Sequence, residues 1–406
     1  MIFCIDQLPG SGKTCAAINY MNEHKDRKFI YVTPYLSEVE RIKSCVKEPF
    51  FEPIKYTDLT PKLVDLKLLL LKEANIVTSH SLFSYFDDDI ISLCHASGYT
   101  LIMDETHDVV SPYQMRSYDV QTVLERYTYG DNPLSWRDDA DDSERFADVK
   151  EACKNGCLNN YHNQALIWMF PIKAFEAFQD VFILTYMFDS QIQSYYYKYH
   201  KIEYKHMWVK GDSPDNYHFT DEQQKDVFDP FLIRIEKDYK LNLIGDGEYS
   251  LSKEWFSRAV GSPLLKKLKN NMENFFGKKL SYYNNVTKEY EQSSSCHNLW
   301  TTFADYKSYV AGKGYTKGFI PLNSRATNNY RDRTVVAYSV NRFMNPIIKN
   351  FLLESNIVID EEGFALSEML QFLWRSGVRD GKRITVYIPS IRMRRLLKRW
   401  LDTYEN

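Results

Sequence analysis

The stretch Gln7-Leu8-Pro9-Gly10-Ser11-Gly12-Lys13-Thr14 decides how the rest of the chain is read. It follows a short apolar run, Ile2-Phe3-Cys4-Ile5, and leads into Cys15-Ala16-Ala17-Ile18-Asn19-Tyr20-Met21, which reads as a helix. A strand, a glycine-rich turn and a helix, in that order, are the context a phosphate-binding loop requires. Backbone N–H groups along such a turn point at phosphate oxygens. The helix N-terminus adds partial positive charge and unpaired donors. Pro9, Gly10, Ser11 and Gly12 are expected to form the cradle, Lys13 to reach the β- and γ-phosphates, and Thr14 to hold Mg²⁺. The first glycine of the usual pattern is Gln7 here.

Working outward, Phe29-Ile30-Tyr31-Val32-Thr33-Pro34 predicts a buried strand, with a helix from Leu36 to Val46 behind it. A further helix is expected over Lys62 to Lys72. Short strands follow at Asn75-Ile76-Val77-Thr78-Ser79-His80 and at Tyr99-Thr100-Leu101-Ile102-Met103, the latter running into Asp104-Glu105-Thr106-His107. Alternating strands and helices imply a parallel sheet covered on both faces, with ligands at the carboxyl ends of the strands. Each of these polar clusters falls at such an end. Beside a phosphate loop, Asp104 suits a hard Mg²⁺ ion held through water, and Glu105 suits orienting and deprotonating the attacking water.

Composition sets the frame. The chain has 406 residues, enough for two or three domains. It is 44% hydrophobic and 26% charged, the balance of an ordinary folded protein. The 30 Tyr and 24 Phe could stack on bases, yet such rings mostly pack in cores. With a net charge of −3, any nucleic-acid contact must use a local basic face. The seven Cys lack paired metal spacing and read as reduced thiols. No apolar run approaches the ~20 residues of a membrane span. The glycine-rich loop begins almost at the first residue, so no signal peptide is expected and the protein is read as cytoplasmic, without membrane contact.

The ordered set Gly-Ser-Gly-Lys-Thr, Val32-Thr33-Pro34, Thr78-Ser79-His80 and Asp104-Glu105-Thr106-His107 resembles motifs I, Ia, Ic and II of superfamily 2 helicases of the DExH type. The resemblance implies two tandem RecA-like α/β domains, with ATP and Mg²⁺ in a cleft between them. It places Thr33, Pro34, Thr78, Ser79 and His80 beside a nucleic-acid backbone, and makes His107 a coupling residue. Val181-Phe182-Ile183-Leu184-Thr185-Tyr186 resembles motif III loosely, which assigns Thr185 a coupling role. Motif VI is matched by Gln371-Phe372-Leu373-Trp374-Arg375-Ser376-Gly377-Val378-Arg379, with the second arginine one residue late. Arg375 and Arg379, four apart, share one helical face or a helix end bent at Gly377, and either suits charge on a transferring phosphoryl group, Arg379 being preferred. Arg325, Thr327 and Asn328 stand where motif V would contact the strand, without its usual form.

Domain boundaries are expected at 1–205, a linker at 206–229 and a second RecA-like domain at 230–406. Residues 114–180 read as a largely helical insertion in the first domain, with an acidic loop near Asp138 to Glu144. Tyr195 to Tyr199, interleaved with Lys198 and Lys201, suits either base stacking or packing, and packing is favoured. Strands are predicted at Thr334 to Tyr338 and Arg383 to Ile388, with a basic closing helix from Ile391 to Leu401.

The resulting expectation is an ATP-dependent helicase or translocase. It would hold nucleic acid, DNA in preference to RNA, mainly by its phosphates. Compact helicase-like proteins of bacteriophages and mobile elements look similar, which implies replication or recombination partners and a host-cytoplasmic location. Two rivals stand: a packaging ATPase of the terminase kind, disfavoured because the C-terminal half offers arginines rather than clustered carboxylates, and a nucleotide-gated binding switch that unwinds nothing. Base selectivity is left open, since no motif precedes residue 7.

Overall fold

The computed structural model describes residues 1–34, 36–55, 61–140, 144–322 and 330–405. The chain divides into two units, Met1–Gln224 with Asn345–Ile359, and Lys225–Met344 with Asp360–Asn406.

The first unit is built on an eight-stranded sheet. Its early strands are β1 (Ile2–Asp6), β2 (Phe29–Thr33), β3 (Phe50–Phe51), β4 (Asn75–Ser79) and β5 (Thr100–Asp104). β6 (Val110–Tyr113) comes just before the inserted segment, which adds β7 (Thr128–Tyr129), β8 (Ser135–Trp136), β9 (Leu158–Tyr161) and β10 (Ala165–Met169). The sheet is completed by β11 (Asp180–Thr185), β12 (Tyr204–Lys210) and β13 (His218–Thr220), in the order β13-β12-β1-β11-β5-β2-β4-β3. All pairings are parallel except β12 with β13. β2 is buried at every position, as a central strand covered on both faces must be. The helix Lys13–Glu23 (α1) lays Ala16, Ala17, Ile18 and Met21 on the sheet, where they join Ile5, Phe29, Tyr31 and Phe182 in the core.

Residues 114–180 carry more helix than strand, with helices at Ser117–Thr122, Ala147–Lys154 and Lys173–Glu176. Their strands β10 and β9 extend β6 into a small antiparallel sheet, with a β7–β8 hairpin beside it. The insertion's core gathers Val120, Val123, Leu134, Phe146, Val149, Leu158 and Leu166. Residues 206–229, read as a linker, carry most of β12 and all of β13. The tyrosine-rich run forms the helix Ile192–Tyr199, with Tyr195, Tyr196 and Tyr197 buried, so its rings pack.

The second unit holds β14 (Ile233–Ile235), a hairpin of β15 (Leu280–Tyr283) and β16 (Tyr290–Gln292), then β17 (Asn298–Thr301), β18 (Val335–Tyr338) and β19 (Ile384–Tyr387). Its parallel sheet runs β14-β19-β18-β17. Phe319 makes an isolated bridge to Trp300, and β17 takes the edge position. The helix Pro263–Gly277 buries Leu265, Leu268, Met272, Phe275 and Phe276, leaving its lysines outward. Among the described residues no helix is long and apolar enough to cross a membrane.

Candidate functional site

Parallel pairing aligns the carboxyl ends of five strands on one edge of the first sheet. Asp6 pairs with Thr185, Leu184 with Asp104, and Thr33 with Ser79. The glycine-rich turn leaves β1 at this edge. Gly10 and Gly12 have φ of 94° and 88°, a region that L side chains rarely enter. Gly12 precedes α1 without a side-chain cap, and the first turn carries no acid, so no carboxylate of the helix competes for its N–H groups. Ser11 N–H donates to Leu8 O at 3.2 Å, while the Ser11 hydroxyl is buried with no hydrogen-bond partner among the described residues. The Lys13 ammonium donates to the carbonyls of Gln7 (2.5 Å) and Leu8 (2.9 Å). An orphan hydroxyl and a lysine folded onto its own loop fit a turn shaped for phosphate oxygens, which would take the place of those carbonyls.

Thr14 sits half-buried on the first turn of α1. Beneath it, burial pushes the Tyr31 phenol well up, reinforced by the charges of Asp104 and Glu38. Asp104 and Glu105 are both half-buried, and Glu105 has φ 65°. A non-glycine residue held there carries backbone strain, which concentrates at functional sites. Its N–H is tied to Leu184 O at 2.9 Å.

The rest of the acidic stretch is wired into the sheet. His80 Nε2 lies 2.8 Å from Asp104 O, and its Nδ1 is 3.1 Å from His107 Nδ1. A carbonyl only accepts, so His80 donates from Nε2. The Thr106 hydroxyl donates to Gln191 Oε1 (2.7 Å), and the Gln191 amide donates to Thr185 Oγ1 (3.1 Å) and Tyr186 O (2.6 Å). His107 N–H donates to Gln193 Oε1 at 2.8 Å. Gln191 and Gln193 were not picked out from the sequence. Their signal was two glutamines one residue apart after a strand, and nothing local told them from surface residues.

The predicted strand-contact residues divide by burial. Thr33, Thr78 and His80 are buried, whereas Pro34 and Ser79 are half-exposed. Ser79 Oγ accepts from Leu82 N at 3.2 Å and so caps the following short helix. Arg325, Thr327 and Asn328 lie outside the described residues.

In the second unit, the helix Glu361–Leu373 is capped by Asp360 and stops two residues before Arg375. Gln371 lies half-buried in its last turn. Ser376 Oγ donates to Leu373 O, and a short 3₁₀ turn then spans Gly377–Asp380. Arg375 and Arg379 therefore do not share a helical face; the helix-end arrangement holds. Arg375 is half-buried, with Nη1 buried and unpartnered among the described residues, while Arg379 is exposed. On the closing helix Ile391–Asp402, Arg395, Lys398 and Arg399 are exposed and Arg394 is half-buried. Arg392 is buried, donating to Asn341 Oδ1 and Arg342 O. Arg395 and Lys398 point outward, into a cavity of about 820 Å³ that Arg234 and Arg383 also line.

Fold and site together define a class: an α/β protein of two parallel-sheet units, the first carrying a glycine-rich turn, a lysine and an acidic strand end on one edge. A family model described as the YonV C-terminal Rossmann-like domain matches residues 230–401. The chain is 40% identical over 417 residues to the SPbeta prophage-derived uncharacterized protein YonV of Bacillus subtilis (strain 168), covering 98% of each. It belongs to the YonV family. Among solved structures it is similar to an apo form of XPD (TM-score 0.47, 11% identity, 98% of this chain and 95% of that one). An XPD helicase aligns with TM-score 0.43 at 11% identity, over 98% and 94% of the two chains. The DUF1998 helicase MrfA bound to DNA aligns at 0.32 and 10%, over 100% of this chain and 46% of that one.

Proposed function

We propose that this chain is a nucleoside-triphosphate-hydrolysing motor of the helicase or translocase kind that acts on nucleic acid. One observation carries the reading: the Gly10–Gly12 turn with Lys13 and the strained Asp104–Glu105 strand end lie on the same edge of one parallel sheet. Lys13 and the turn's N–H groups would hold the phosphates. Thr14 and Asp104 supply hard oxygens for Mg²⁺, which when bound neutralises charge on the phosphates. Glu105 orients and accepts a proton from the attacking water.

The Thr106–Gln191–Thr185 network and the His80–His107 contact tie the acidic stretch to neighbouring strand ends, which supports a coupling role for that stretch. The outward Arg395 and Lys398 support contact with a polyanion. Arg375, with a buried unpartnered nitrogen, replaces Arg379 as the preferred candidate for the transferring phosphoryl group. The prophage origin of the Bacillus subtilis relative supports a role in phage DNA metabolism inside a host cell.

The test is steady-state ATP hydrolysis with and without single-stranded and duplex DNA and RNA. Wild-type hydrolysis should rise with one polymer. Lys13→Ala, Glu105→Gln and Arg375→Ala should each lower it by about 10²-fold or more, Glu105→Gln and Arg375→Ala while still binding nucleotide. Nucleotide binding without hydrolysis under any condition would instead establish the switch.

A further inference from the structure

The loop between β12 and β13 reaches the glycine-rich turn. Gly211, at φ 138°, starts it, and a Cβ there would meet Asn216 Oδ1 at 2.7 Å. Asn216 Oδ1 accepts from the N–H groups of Asp212 and Ser213, both at 3.0 Å, which closes the loop on itself. The Asn19 amide on α1 donates to Pro214 O and Tyr217 O, both at 2.9 Å, and so fastens the loop to the helix that the turn begins. This places the Tyr217 ring directly on Gly12: a Cβ built on Gly12 would lie 2.7 Å from two ring carbons. The ring is half-buried, so part of it stays open.

Beside Tyr217 a cavity of about 630 Å³ runs along α1, past Ala16, Tyr20 and His24, with Phe182 and Phe219 opposite. Phe182 and Phe219 stack, 5.3 Å apart at 14°, while Tyr20 and His24 lie 4.1 Å apart with their rings tilted by 31°. The charges along it are ill suited to phosphate. Arg27 is taken by Asp180 at 2.7 Å, while the carboxylates of Glu23 and Asp215 stand exposed at the rim. An aromatic slot edged with carboxylates fits a flat, neutral ring that bears an amino group.

We propose that this is the base site of the nucleotide, and that Tyr217 stacks on an amino-bearing purine such as adenine. The proposal rests on reading the turn as a phosphate site, and it names the group that reads the base there. Tyr217 sets affinity through the base, while the turn holds the phosphates.

Calorimetric binding of ATP, inosine triphosphate and inorganic tripolyphosphate tests this without reference to turnover. Tyr217→Ala should weaken ATP binding about ten- to hundredfold and leave tripolyphosphate unchanged. Tyr217→Phe should bind ATP as wild type does. Inosine triphosphate, with a carbonyl where adenine has its amine, should bind the wild type more weakly than ATP. Equal loss of ATP and tripolyphosphate in Tyr217→Ala would show that the ring only braces the turn, and would overturn the proposal, as would no change in either. A wild-type chain that binds tripolyphosphate as tightly as ATP would also overturn it, leaving the phosphate site standing. A wild-type chain that binds neither removes the phosphate site itself, and the base site with it.

Discussion

Gln7 stands where the usual loop pattern has its first glycine, and the fold gives it a task a glycine could not perform. Its side chain is buried, accepting from Val209 N–H at 2.7 Å and donating to Val209 O at 3.4 Å. One amide thus satisfies both backbone groups of a residue in β12 and sets where the turn begins. Gln7→Ala strands those groups in the interior, at a cost of about 1–3 kcal/mol. Urea unfolding should show the midpoint falling with the slope unchanged. An unchanged midpoint would mean that water replaces the amide there. From sequence, Gln7 was only a mismatch to a pattern; its meaning lies in a residue 202 positions away.

At the scale of elements, the segment joining β11 to the helix Ile192–Tyr199 carries much of the site's wiring. Asp6, at the end of β1, accepts from the N–H groups of Met187 (2.7 Å) and Phe188 (2.9 Å). Asp189, in the same segment, faces His206 on β12 at 3.3 Å and accepts from Tyr204 O–H at 2.7 Å, with Asp6 3.9 Å from His206 on its other side. The hydrogen bond from His206 is the chief reason the Asp189 carboxyl falls to about 2, and the same bond raises the imidazole above its ordinary 6.5. The signs fix the window. The carboxylate's contribution is present above the ordinary 3.8 and is lost as pH falls through about 2. The imidazolium's is present below 6.5 and is lost as pH rises through its raised value. The segment should therefore be held most firmly between about pH 4 and 6.5. Titration of the His206 ring by NMR should give a midpoint above 6.5 that drops in Asp189→Asn. A midpoint that ignores the substitution would show the pair is not formed in solution.

At the scale of the whole molecule, the chain leaves the second unit at Asn345 and rejoins it at Asp360. The helix Pro346–Glu354 between those points packs with the first unit. Phe351 meets Tyr199 at 5.2 Å, and the Glu354 carboxylate takes Tyr161 O–H (3.0 Å) and the His162 ring (2.8 Å). A fragment ending at Gln224 loses this cover and exposes Tyr199 and its neighbours. It should melt below the first transition of the full chain, and adding a peptide of residues 345–359 should raise its melting temperature. Identical melting with and without the peptide would contradict that assignment.

Much of the fold was written locally. Apolar runs ending in polar clusters marked β2, β4, β5, β11, β18 and β19, because a strand covered on both faces must be apolar throughout its length. The glycine spacing of the turn and the paired acids were equally plain, since φ near 90° and hard-oxygen chemistry admit few residue types. Other features belong to tertiary structure alone. The insertion's antiparallel sheet depends on pairing between β6 and β10, which are more than 50 residues apart. The tasks of Gln7, Gln191, Gln193 and Tyr217 come from partners brought close only by folding. Arg375 is half-buried and Arg379 exposed because the helix stops at Leu373, two residues before the first of them. Local sequence specifies backbone conformation and which face is apolar; the partner of a buried polar group is set by the packing of distant segments.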